Sequence, residues 1–525
     1  MAKILILNPN TDIHGHHSIP TALVSSLLKK NNHEVKLFDT TFMKLDDIMP
    51  EFIDDLTIKS TQYKYYKDVD FSMQDYKKKS VDVVKLFRKT IRNFNPDLIC
   101  FSFWGSHLHA EGEYQAYHKS LKIIEKVDTG DIPIIAGGTI PTSNPEMVLD
   151  HPKIHYVIRG EGELVYLDIA NKLDTKESLF DIPNIVYKDY DGTIKKNEMR
   201  PLIEPLDLLP YPDFDIYDDR LLYRPYHGEL VRCVDYELSR GCIYNCTFCL
   251  SPFQREEYGT EKGEPGHPSN FRREKSVDHI IREIKYLKDK YNLDIIRYQD
   301  ETFLNMKPKK LSELADRYSK EVDLPFIIEA TLNTVSKDKI DSIKKMGCIS
   351  IGFGLESGSQ RVRDEIIDKP RYTNEMVIER LKMVKKSGIS FMLYNIIGFP
   401  DETEEDILET MKLNNIVKPP YATMSYLQPW EGTAIRKSAL EKGNLGYDFS
   451  ETEISLFQQR STPFNNLDVS QELIQHYHDM FTYYIYLNRF LWPFIKVCRS
   501  NNILQIFLKM ILTMLLKIRL RKYRD

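Results

Sequence analysis

From Lys3 to about Leu173, short apolar runs alternate with segments whose apolar residues recur at helical spacing. The runs KILILN, EVKLFD, DLICFSF and IPIIAGG read as strands. Helical patterns cover Ile19 to Lys30, a stretch ending near Phe94, and Tyr117 to Lys126. Strand and helix in turn predict a doubly wound parallel sheet of the α/β class. In such sheets ligands lie beyond the carboxyl ends of the strands, where the loops NPNTDIHGHH, SFWGSH and GGTIPTSNP fall. Between Pro183 and Gly228 prolines recur and the apolar period fades, so this stretch reads as a linker. A second alternating block runs from Val231 to about Ile435. Its strands VRCVDYEL, DIIRYQDETF, PFIIEATLN, CISIGFGLES, ISFMLYNIIGF and YATMSYLQ are separated by charged amphipathic helices. Six βα units with only helical pattern after them predict an incomplete parallel barrel rather than a closed eight-stranded one. The expected divisions are 1–185, a linker over 186–230, the partial barrel over 231–436, and a helical extension over 437–525.

The end of that extension has its own pattern. From Ile503 to Arg521 polar residues fall at Gln505, Lys509, Thr513, Lys517 and Arg521, a step of four that only Arg519 breaks. A helix here carries one narrow polar stripe and a broad apolar face. It is too short and too charged for a span of about twenty apolar residues. Two readings stand: an interfacial helix with basic flanks, giving peripheral membrane contact, or a helix docked on the barrel or a second subunit.

Composition narrows the class. Over 525 residues, 42% are apolar and 28% charged, which suits a folded globular chain. A net charge of −5 argues against a nucleic-acid binder. The seven cysteines are few, odd in number and mostly scattered, unlike a disulfide framework. The amino-terminal MAKILILNPN runs straight into a strand pattern without a cleavage site, so a cytoplasmic location is expected.

Three of the cysteines are clustered. SRGCIYNCTFCLSP sets Cys242, Cys246 and Cys249 directly after the first strand of the second block, where a parallel barrel gathers its catalytic groups. Three soft thiolates on one loop suit a face of an iron–sulfur cube and leave one iron without a protein ligand. A structural zinc site is the alternative, with Cys233 as the nearest fourth ligand. The spacing, with the aromatic Phe248 before the last cysteine, resembles the signature of the radical S-adenosylmethionine superfamily. Further similarities follow in order: Asp300 and Glu301 in YQDETF, Glu356 and Ser357 in GLESGS, and Gly398 and Pro400 in IIGFPDET. The resemblance implies a four-iron four-sulfur cluster on the three cysteines and S-adenosylmethionine (SAM) on its open iron. It also implies reductive cleavage of SAM to a 5'-deoxyadenosyl radical, with a flavodoxin- or ferredoxin-type electron donor. On the residues themselves, carboxylates at strand ends can accept hydrogen bonds from an amine or ribose, and Ile397, Gly398 and Phe399 can form an apolar wall for adenine. Arg272 and Arg273 are candidates for the cofactor carboxylate, with a solvated basic turn as the alternative. The polar stretch from Arg255 to Asn270 reads as an insertion or lid.

The first block resembles the cobalamin-binding domain fused ahead of many such barrels, through PDLICFSF, PIIAGGTIPTSNPEMVL and VIRGEGE, followed by LPYPDFD. The resemblance implies cobalamin near Ser102, Gly137, Gly138 and Thr139. Some of these modules supply a histidine to cobalt from DxHxxG. Asp12 and His14 fit, but His17 stands where the glycine belongs, so His14 as a ligand and an unrelated His-rich loop both remain open. Two cofactor domains imply cobalamin-dependent radical methylation of an unactivated carbon or a phosphinate in a small-molecule or lipid-like intermediate. Ring closure, rearrangement or carbon–carbon coupling without methyl transfer is the second reading. A non-catalytic cobalamin or cluster sensor is the third.

Overall fold

The computed structural model describes residues 1–10, 17–45, 79–102, 110–226, 229–446, 461–465, 467–498 and 503–524. Seven strands form the first sheet: β1 (Lys3–Asn8), β2 (Glu34–Asp39), β3 (Leu98–Ser102), β4 (Ile134–Gly137), β5 (Tyr156–Ile158), β6 (Ile185–Lys188) and β7 (Ile194–Lys196). Their order is β2-β1-β3-β4-β5-β6-β7. The first five are parallel, in registers such as Ile4 against Leu98 and Ser102 against Gly137. Successive side chains of a strand point to opposite faces, so Leu5 and Leu7 enter one core while Ile4 and Ile6 enter the other. Helices cover both faces, which is why the central strand is apolar throughout.

The expected boundary at residue 185 needs correcting. The chain does not pass into a linker there; β6 and β7 close the sheet edge as an antiparallel hairpin on β5. The turn spans Asp189 to Gly192 and contains the Asp191-Gly192 pair, with Asp189 N donating to Thr193 O at 2.8 Å and Gly192 at φ +84°. An Asp-Gly pair between two short β-rich runs is a hairpin signal that the surrounding prolines obscured.

The second sheet contains β8 (Tyr223–Tyr226), β9 (Glu229–Tyr236), β10 (Ile295–Tyr298), β11 (Phe326–Ala330), β12 (Cys348–Glu356), β13 (Ser390–Ile397) and β14 (Tyr421–Tyr426), paired in sequence order. β9 to β14 are the six parallel strands anticipated; β8 is an antiparallel addition inside the expected linker. The intervening helices begin at side-chain caps. Ser276, Thr373 and Thr403 each accept a backbone N–H of the first turn.

After β14, the helix Gln471–Tyr486 packs on that edge strand and on the helix Glu404–Val417. It carries Trp492–Val497 and the terminal helix Ile503–Arg524. The terminal helix docks through Leu512 and Leu516, both buried, and Tyr483 and Thr513 share a hydroxyl–hydroxyl hydrogen bond of 2.8 Å. No described helix is long and apolar enough to cross a membrane.

Candidate active site

β9 ends at Tyr236 and the chain turns into the cysteine loop. Asp300, fully buried just beyond β10, fixes that turn. Its carboxylate accepts the backbone N–H of Ser239 at 2.6 Å and of Leu238 at 3.4 Å, and also the Ser239 hydroxyl. Gly241 sits at φ +90°, and a Cβ there would lie 2.5 Å from the Phe271 carbonyl oxygen, so only glycine fits next to Cys242. Downstream, Thr247 is tied to the carbonyls of Ile367 and Ile366, and Arg255 donates to the Ile243 carbonyl at 3.0 Å. Asn333 donates to the Tyr244 hydroxyl at 2.7 Å.

Cys242, Cys246 and Cys249 are free thiols, half-buried on this pinned loop. Burial pushes the Cys242 thiol up to about 12 and raises Cys246 and Cys249, and the thiols' mutual repulsion adds to the effect at Cys242 and Cys249. Such a trio ionises readily only beside a cation, which is the donor chemistry an iron cluster requires. Cys233, the suggested fourth zinc ligand, is enclosed within β9, and its thiol points to the Val234 carbonyl. Among the described residues no three His, Cys, Asp or Glu side chains converge on a single-ion position.

Across the loop, β12 ends at Glu356, held at φ +62° where the register with β13 shifts. Its carboxylate meets the Lys369 ammonium at 3.0 Å, both side chains being buried. Lys369 has no local spacing that would have flagged it. Ser357 is turned to Thr410, 3.1 Å away, on the neighbouring helix. Gly398 adopts φ +88°, and Glu402 accepts the N–H groups of Gly398 at 2.7 Å and Phe399 at 3.2 Å. Burial pushes the Glu402 carboxyl up to about 8 against those two hydrogen bonds. Ile397 lies wholly within the main core, whereas Ile396, on the other face of β13, packs in a cluster with Phe248 and Phe399. The Phe248 and Phe399 rings meet edge to face at 6.4 Å. Pro400 is half-buried beside them in sequence.

The strand ends of the two sheets border one cleft that is partly open to solvent. Gly137, Gly138 and Thr139 line one side; Asp235, Gln299 and Glu301 line the other. Burial pushes Glu301 up to about 7. Gly138 is at φ +116° where β4 gives way to a short helix. Ser102, at the end of β3, pairs with Gly137. His14 lies outside the described residues. His17, buried, lines the cleft with its ring edge-on to Phe214 at 4.8 Å and its Nδ1 3.5 Å from an Arg224 nitrogen. Arg224 in turn forms a double hydrogen bond with Asp235, each arm 2.7 Å.

VIRGEGE acquires a role that its composition did not show. Arg240, in the cysteine loop, reaches Glu161 at 3.2 Å and Glu163 at 2.5 Å across the cleft, and Glu237 at 2.6 Å on its own side. Arg273 joins Glu161 at 2.8 Å. Burial acts to raise the Glu161 carboxyl, but the Arg240 and Arg273 guanidiniums outweigh it and hold the group at about 2. Arg272 pairs with Glu274. The expectation that Arg272 and Arg273 serve the cofactor carboxylate is therefore corrected, because half-buried acids of the protein, Glu274 and Glu161, pair with their guanidiniums. The polar stretch after Arg255 packs against the first domain: Glu257 pairs with Arg159 at 2.7 Å, and the Tyr258 hydroxyl accepts Glu161 N–H at 3.0 Å.

A family model described as the Radical SAM superfamily matches residues 236–413, and one described as the B12 binding domain matches residues 67–170. An uncharacterized methyltransferase of Pyrococcus horikoshii is 30% identical over 354 residues, 67% of this chain and 71% of the relative. The chain belongs to the radical SAM superfamily. The cytidylyl-2-hydroxyethylphosphonate methyltransferase of Streptomyces wedmorensis is 25% identical over 431 residues, 76% of this chain and 73% of that one. Among solved structures, the cobalamin-dependent SAM radical enzyme OxsB, with aqua-cobalamin and SAM bound, aligns over 100% of this chain and 72% of its own. Its TM-score is 0.64 at 15% identity, a likeness of fold.

The cofactors of this radical SAM enzyme are thus a four-iron four-sulfur cluster, SAM and cobalamin. The residues present fit them. Three thiols stand on one fixed loop for the cluster, and a glycine turn at the edge of the cleft keeps side chains out of the way of a flat corrin. The Gln299 carboxamide oxygen, buried on the barrel rim of that cleft without a protein partner among the described residues, leaves an acceptor there for a polar ligand.

Proposed function

We propose that the protein is a cobalamin-dependent radical methyltransferase acting on an unactivated carbon, or a phosphinate, of a small-molecule or lipid-like biosynthetic intermediate. The observation that carries the reading is the shared cleft, which sets the Gly137-Gly138-Thr139 turn opposite Glu301 and the Arg240-Gly241 step that leads into the cysteine loop. Bound there, the cluster and one SAM supply a 5'-deoxyadenosyl radical for hydrogen abstraction, while cobalamin supplies a methyl group renewed from a second SAM. Cys242, Cys246 and Cys249 hold the cluster. Glu301, Glu356 and Ser357, with Phe248 and the segment Gly398 to Pro400, shape the SAM site, and Asp300 positions the loop beneath it. Ser102, Gly137, Gly138 and Thr139 would let the corrin approach the backbone, and His14, outside the described residues, is a candidate to bind cobalamin, with an unrelated His-rich loop as the alternative. Two relatives that bear the name methyltransferase support methyl transfer, and two less similar ones named as cyclases keep ring closure as the second reading. A flavodoxin- or ferredoxin-type donor supplies electrons, and the terminal helix contacts the membrane.

The test uses anaerobically reconstituted enzyme, methyl-labelled SAM and cell extract, with products followed by mass spectrometry. Release of both 5'-deoxyadenosine and S-adenosylhomocysteine, with label in a new product, is expected. Deoxyadenosine alone would replace methylation by ring closure or coupling. Neither product would return the chain to a sensor.

A further inference from the structure

The terminal helix presents two apolar faces. Leu512 and Leu516, at 1% and 0% exposure, face the protein. On the opposite side Phe507, Met510, Met514 and Ile518 stand 64%, 64%, 57% and 54% exposed. A step of three or four residues puts these four on one stripe. The preceding helix Trp492–Val497, packed against this one, adds Phe494, and Phe490 lies just ahead of it; both are exposed. A chain bearing −5 overall has nine Lys or Arg and no Asp or Glu between Arg489 and Arg524. Lys509 and Lys517 are exposed along the flank of the stripe rather than within it.

We infer that these two helices form a platform that seats the enzyme on an anionic lipid bilayer, the helix lying in the plane of the surface. An apolar outer stripe with cations beside it matches the boundary between acyl chains and charged headgroups. A span is excluded by the helix itself. A second copy of the chain fits less well, because it would set one cationic patch against another, and protein interfaces are depleted in lysine. The platform leans on the helix that covers β14, the edge strand of the half-barrel, so lipid would lie at the sheet's edge. The inference deepens the membrane contact proposed above and names its surface; it rests on that contact and not on the reaction outcome.

Sedimentation of the full-length, cluster-loaded protein with phosphatidylcholine vesicles, with and without an equal part of phosphatidylglycerol, tests it. Binding to the mixed vesicles is expected, weakened by raising salt to about 0.5 M, which shortens the screening length. The triple variant Phe507→Ser, Met514→Ser, Ile518→Ser leaves Leu512 and Leu516 in place and should lower partitioning about tenfold or more. Phe490→Ser with Phe494→Ser, on the other element, should lower it less, and it keeps the test independent of the terminal helix's folding. No binding to anionic vesicles, or binding by both variants equal to that of the unaltered protein, would overturn the inference. So would a concentration-dependent dimer in light scattering that the triple variant abolishes. SAM cleavage in the same preparations, without vesicles, reports separately on the reaction, so either reading can fail alone.

Discussion

The two rims of the cleft are made of different material. On the first-sheet side the Gly137-Gly138-Thr139 turn presents backbone between apolar side chains such as Ile6 and Ile158, with Glu161 and Glu163 turned to Arg240, and Gly137 is so close to Tyr166 that a Cβ would come 2.8 Å from its hydroxyl. On the half-barrel side stand thiols, carboxylates and guanidiniums, several already fixed by a partner: Asp300 by Ser239, Glu356 by Lys369, Arg240 by two glutamates of the opposite domain. A broad, flat ligand is held by shape and close approach of backbone, which needs the absence of side chains. A small charged ligand and a metal cluster are held by groups aimed in advance, which needs charge and a second layer to orient it. The two rims should therefore fail separately.

Replacing Cys246 with alanine is expected to have the largest effect. Cluster iron and sulfide should fall sharply and SAM cleavage should drop to background, while cobalamin binding, followed by its visible absorption, stays near that of the unaltered protein. Loss of both cofactors together would show that the rims are not independent.

Arg240 is the bridge between them, and Arg240→Met tests the bridge. It leaves Glu161 with Arg273 alone and leaves Glu163 without the guanidinium that holds it in a buried setting. Breaking a buried pair from one side costs about 3–5 kcal/mol. Calorimetry should show a lowered unfolding temperature, and the two domains should begin to unfold as separate transitions.

Gly137→Val acts on the first rim only. Crowding against the Tyr166 hydroxyl costs about 1–3 kcal/mol of overpacking and fills space at the edge of the cleft. Cobalamin affinity should fall about tenfold or more, the weight of 1.4 kcal/mol or above. Iron content should not change.

The same contrast explains what could be read along the chain. Local patterns carried the six parallel strands, the cysteine loop and the glycine turn, because period and spacing are themselves local. Lys369, Glu402 and Arg240 are ordinary charged residues in sequence; contacts made by the fold bring them to the site, as when Arg240 meets Glu163 across 77 positions. Whether Ile396 or Ile397 faces Phe248 turns on a single residue of strand register, which an apolar run such as NIIGF does not specify. His17 is a misfit to the DxHxxG motif, and its contacts with Phe214 and Arg224 give it a place at the join between the domains.

The smallest effect sharpens the comparison on the charged rim. Glu402 holds Gly398 and Phe399 by their N–H groups, and its carboxyl is raised to about 8 in the folded protein from an ordinary value near 4.5. Between those values the folded chain keeps a proton that the unfolded chain has released, so stability falls as pH rises through the window and levels off above it. Asp300 and Glu301, both near 7, act in the same direction. Glu402→Gln keeps an oxygen to accept both N–H groups and removes the titration. Its unfolding temperature should therefore fall less than that of the unaltered protein between about pH 5 and pH 8, and the two curves should approach each other at the acid end. An unchanged slope would mean that Glu402 is ionised in the folded protein and that the Gly398 turn is anchored by a charge, as the rest of this rim is.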